Sequence, residues 1–116
     1  MTAVALALTG LIGLLHVYIL VLEMFWWATP RGRRSFGTTV EFAEATRTLA
    51  ANQGLYNGFL AAGLFWGLWA GVGVRVFFLL CVLVAGLYGG VTVSRRILVV
   101  QAVPAAVGLL FVLLAR

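Results

Sequence analysis

The chain has 116 residues, enough for one domain, and 64% of them are apolar while only 9% are charged, which excludes an ordinary soluble globular protein. Its formal charge of +5 comes from arginine alone; the arginines lie between apolar runs or at the end of the chain, a topology signal rather than a nucleic-acid surface. Cys81 is the single cysteine, so neither a disulfide framework nor a cysteine-based metal site can be assembled.

The first apolar run, Ala3 to Trp27, is long enough to cross hydrocarbon, which takes roughly 20 residues. Met1 to Thr9 lacks the basic region of a cleaved signal peptide, so the run is read as a membrane helix over about residues 3–27. "TPRGRRSFG" follows and reads as a turn-rich basic hinge. In "TTVEFAEATRTLAANQ", Thr38 with Glu41 forms a capping-box pattern, and Phe42, Ala45 and Leu49 recur at helical spacing. An amphipathic helix is predicted there, continuing into the second apolar run, Leu55 to Val72, with a bend at Gly54 and overall limits of about 38–72.

The third and fourth runs, Val76 to Val93 and Ile97 to Ala115, give helices over about 76–93 and 97–115. The links "GVGVR" and "SRR" are too short for anything but antiparallel neighbours. Within hydrocarbon only a helix satisfies its own backbone polar groups. The predicted architecture is therefore all-α: one integral membrane domain over residues 1–116, a four-helix up-down bundle with an amphipathic cytoplasmic extension before the second helix. Arg31, Arg33, Arg34 and Arg47 mark the first loop as cytoplasmic, and Arg95 and Arg96 mark the third, against Arg75 and Arg116 on the opposite side. Both termini are expected outside, with Trp26 and Trp27 at the cytoplasmic interface.

"HVYILVLEMFWW" places His16 and Glu23 inside the first helix, seven residues apart and so on one face. His16 falls near the bilayer midplane and Glu23 about 10 Å nearer the cytoplasm. At the depth of Glu23 the other helices bring Gln53, Tyr56 and Asn57, then Tyr88 and Thr92, then Gln101 ahead of Pro104. Glu23 is the acid/base candidate with His16 as its partner or orienting group, and the other six are candidate ligand contacts. Each also has a packing role open to it: His16 bonding a neighbouring carbonyl, the amides forming a structural ring, Arg95 and Arg96 anchoring at the interface. No metal is expected, because His16 and Glu23 are too far apart to share an ion and no second histidine exists. Nothing in the sequence names a cofactor.

Small residues supply close-packing stripes: Gly54, Gly58 and Ala62; Gly63, Gly67 and Gly71; Ala85 with Gly89, and Gly86 with Gly90. They offer contact with neighbouring helices or with a second copy of the chain. The expected partners are thus the lipid bilayer, a small amphiphilic ligand and a homo-oligomer, with no nucleic acid.

Together "HVYILVLEMFWW", "NQGLYNGFLAAGL", "AGLYGG" and "QAVPA" resemble the small bacterial four-helix membrane proteins of domain-of-unknown-function family 1304. The resemblance spans nearly the whole chain and implies a bacterial inner-membrane setting. It also implies that His16, Glu23, Gln53, Asn57 and Gln101 belong to the family pattern, without giving them roles. A looser similarity is to the trimeric four-helix membrane-associated eicosanoid and glutathione metabolism proteins, with Arg47, Asn52 and Gln53 where those proteins meet glutathione. The acidic residue of that site is missing from the second helix.

Three functions follow as alternatives: binding or modification of a small amphiphile with its head at Glu23, proton-coupled or small-molecule transport past His16, or a structural protein without ligand. The apolar outer half of the helices favours the first.

Overall fold

Long runs of Leu, Val, Ala and Phe leave the backbone as the main hydrogen-bonding group, and the helix is the one local structure that satisfies it within each run. The computed structural model describes residues 1–116 and is all-α. In chain order the helices are α1 (Thr2–Met24), α2 (Pro30–Phe36), α3 (Val40–Ala45), α4 (Arg47–Ala70), α5 (Val72–Thr92), α6 (Arg95–Ile97) and α7 (Val103–Ala115), with a π-helical turn, Leu98–Ala102, between the last two. Thr2–Met24, Val72–Thr92 and Arg95–Ala115 are long and apolar enough to cross a membrane. At 24 residues α4 has the length, but Gln53, Asn57 and its glycines dilute its apolar character.

Two compact units divide the chain, residues 14–61 and residues 1–13 with 62–116. In the first, the basic hinge expected at "TPRGRRSFG" is a helix. Its turn-forming residues act as caps: Thr29 accepts the Gly32 N–H at 3.3 Å, Pro30 opens the first turn, and Gly37 closes it at φ 68°. Gly32 packs against the Trp26 and Trp27 carbonyls, where a side chain would not fit. The α3 cap is Thr39, whose Oγ1 accepts the Phe42 N–H at 3.1 Å, one residue later than the expected capping box. Glu41 therefore cannot complete the box, which needs it at the third helical position. The helix breaks at Thr46 rather than bending at Gly54. Thr46 Oγ1 donates to the Phe42 carbonyl at 2.7 Å and accepts from Trp27 Nε1 at 3.0 Å, drawing the chain out of register. Helix α1 also stops at Met24, so Trp26 and Trp27 lie beyond it.

The second unit packs α5 along the π turn and α7. Leu64, Leu79, Val82, Ala105 and Val112 are fully buried in it, with Ile12 and Leu109 beside them. Gly86 lies against the Ala102 backbone and the Gln101 side chain, which brings α5 and the π turn together at backbone distance. The wide turn ends with the Val103 N–H bonded to the Leu98 carbonyl, immediately before Pro104. Proline has no N–H to continue the ladder, so the register shifts where a bond is lost in any case. Gly71, at φ 114°, makes the one-residue reversal from α4 to α5, a conformation that L side chains rarely adopt.

Candidate functional site

The buried stripe of α1 runs Ala5, Thr9, Ile12, His16 and Glu23. Three polar residues, Thr9, His16 and Glu23, therefore recur at seven-residue intervals on one helix face. Thr9 donates its hydroxyl to the Ala5 carbonyl at 2.8 Å and so closes its hydrogen bonding within its own helix. His16 is wholly buried, and Glu23 and Asn57 are 7% and 8% exposed.

Small residues of α4 determine what Glu23 meets. Gly54 and Gly58 face α1: a Cβ on Gly54 would come within 2.6 Å of Met24 Cγ, 3.1 Å of Glu23 Cβ and 3.2 Å of the Leu20 carbonyl oxygen. The two helices thus approach closely enough for Asn57 Nδ2 to donate to Glu23 Oε1 at 2.5 Å. The same nitrogen lies 3.4 Å from the Gln53 carbonyl, which steadies the amide against its own helix. A carboxylate oxygen accepts more than one donor, so the pair retains capacity for a further hydrogen bond.

The cytoplasmic-side cluster predicted from sequence is thus gathered only in part. Glu23 and Asn57 meet, and His16 is buried about 10 Å further along α1. Gln53 and Tyr56 are exposed. The face of α4 that is buried carries Ala50, Gly54, Asn57, Ala61 and Leu64, leaving Gln53 at its margin and Tyr56 outside it. Tyr88 and Thr92 are also exposed, because α5 buries Leu79, Val82 and Gly86. Thr92 spends its hydroxyl on the Tyr88 carbonyl at 2.7 Å. Gln101 is half-buried in the π turn, its side chain against Gly86.

Side-chain contacts near the end of α1 follow no motif in the sequence. Arg31 donates through Nε and Nη2 to the Tyr18 hydroxyl at 3.2 and 3.0 Å, and its guanidinium also lies 5.6 Å from the Trp26 ring. The Trp27 and Phe36 rings meet at a tilt of 50°, with centroids 4.9 Å apart. Tyr18, five residues before Glu23 in an apolar run, was the one available signal, since a buried or interfacial phenol seeks a partner.

Residues 10–113 match the family described as "Protein of unknown function (DUF1304)". The chain belongs to the DUF1304 family. His16, Glu23, Asn57 and Gln101 all fall within the DUF1304 match. A relative is "Uncharacterized protein YpaA" of Lactococcus lactis subsp. lactis (strain IL1403), 33% identical over 107 residues, which cover 87% of this chain and 89% of that protein. No solved structure matches. None of these matches carries the likeness to the eicosanoid and glutathione proteins. Arg47, one of the residues on which that likeness rested, forms an exposed pair with Glu44 at 2.8 Å.

Proposed function

We propose that this DUF1304 protein is an integral membrane four-helix up-down bundle of the bacterial inner membrane, with both termini outside, that binds a small amphiphile at Glu23. The membrane reading is supported by three helices of spanning length and by apolar side chains left exposed along them, among them Leu11, Val84 and Leu110. Helix α4 is the fourth span, its Gln53 and Asn57 lying near the cytoplasmic end. The basic residues of α2 face the cytoplasmic leaflet.

One observation carries the binding reading: a glutamate in an apolar helix, drawn into a seam between α1 and α4 against a single amide donor. Ionisable groups are costly in such a segment, and their retention points to function. A carboxylate beside an amide suits a head group that donates hydrogen bonds or carries positive charge, with its tail among the apolar side chains. His16 orients the group or passes a proton along the same face of α1. If chemistry follows binding, Glu23 is its acid/base group.

Decylamine, decanol and decanoate separate this reading from a structural one. Detergent-purified protein is expected to bind decylamine or decanol in preference to decanoate by native mass spectrometry, and Glu23→Gln to lose the amine by about tenfold, the scale of one charge-assisted bond. Equal binding of all three probes to both proteins would leave the pair a packing device.

A further inference from the structure

A second polar feature lies wholly within the unit formed by residues 1–13 and 62–116. A cavity of about 160 Å³ there is lined by Thr2, Ala5, Val72, Arg75, Val112 and Arg116, among others. Arg75 is half-buried and donates from Nη1 to the Gly67 carbonyl at 2.6 Å, which holds its guanidinium against the end of α4. Its Nε is buried with no acceptor. The three acidic side chains of the whole chain are Glu23, Glu41 and Glu44, all in the other unit. No aspartate or glutamate of this unit is therefore available to the Arg75 guanidinium, whose hydrogen bond to Gly67 is to a neutral carbonyl. Arg116 adds a second arginine to the lining, and the start of α5 adds partial positive charge.

We infer that this cavity binds a phosphate-bearing anion, with Arg75 as its principal donor and Arg116 as a second. Planar guanidinium forks match phosphate oxygens, and an anion would bring the negative charge that no aspartate or glutamate of the unit supplies. Trp66 and Trp69, exposed on the same end of α4, belong to the amphipathic ring type that sits at head-group depth. A phospholipid head group and free inorganic phosphate share this chemistry. The site is independent of Glu23; its lipid form rests on the membrane reading above, whereas its inorganic form does not.

The test uses the full chain in dodecyl maltoside. Native mass spectrometry with phosphatidylglycerol and with monoglucosyl diacylglycerol reads lipid retention, and thermal unfolding with inorganic phosphate reads the free anion. Retention of phosphatidylglycerol over the glucolipid, weakened about tenfold by Arg75→Gln, identifies the head group as the ligand. A phosphate-dependent rise in unfolding temperature that Arg75→Gln abolishes, without lipid preference, identifies the free anion. Ala115→Leu, which narrows the cavity while leaving the Arg75 to Gly67 bond intact, must weaken whichever ligand binds, and this keeps the test open if Arg75→Gln does not fold. Binding of neither ligand, or binding unchanged in Ala115→Leu and in folded Arg75→Gln, overturns the inference.

Discussion

Asn57 is the only side chain hydrogen-bonded to the Glu23 carboxylate, and one nitrogen forms that bond. Replacing Asn57 by Leu keeps the heavy-atom count and branching but strands a buried acceptor. The expected loss is about 1–3 kcal/mol of stability, read from unfolding in detergent. In a Glu23→Gln background the same replacement should cost less, since a neutral amide is less expensive to leave unpaired than a carboxylate. Equal losses in both backgrounds would show that the pair is not coupled. Glu23 and His16 were legible as an unusual pair because two ionisable groups stand out in an apolar run. Which amide Glu23 meets was not legible: Gln53 and Asn57 are one helical turn apart, and only the packing of Gly54 and Gly58 on Leu20 decides that Asn57 faces inward.

At the scale of elements, glycines with opposite surroundings give paired predictions. Gly54→Leu forces a side chain into Met24, Glu23 and the Leu20 carbonyl, and is expected to destabilise by about 1–3 kcal/mol. Gly73 in the first turns of α5 has nothing within 4 Å of a Cβ, so Gly73→Ala should be neutral or stabilise by a few tenths of a kcal/mol up to about 1. Both are read from thermal unfolding, with far-UV circular dichroism to confirm helix content. Thr39→Ala should fray α3 at a cost of about 1 kcal/mol, while Thr38→Ala, at the position first expected to cap, should not fray it. Cap positions were blurred in the sequence because Thr38 and Thr39 are adjacent and equally suited. Likewise Pro30 and Gly37 signal both a loop and the two ends of a short helix, and the contact of Gly32 with the tryptophan carbonyls favours the helix.

For the whole molecule, helix class and the long apolar segments could be read from composition, since hydrocarbon-length runs leave few alternatives. The exposure of Tyr56 and Tyr88 could not, because a tyrosine is compatible with a buried face or with an interface. The arginine bias predicts that reporter fusions at Gly37 score as cytoplasmic and fusions at Arg116 as external; a cytoplasmic score at Arg116 would reject the up-down bundle. Binding at Glu23 is tested by thermal unfolding of wild-type protein and Glu23→Gln, each stripped of bound amphiphile and then titrated with decylamine. Similar unfolding temperatures are expected for the stripped proteins, with a concentration-dependent rise with decylamine in the wild type that Glu23→Gln lacks. An equal rise in both, or none in either, would contradict a binding role for Glu23.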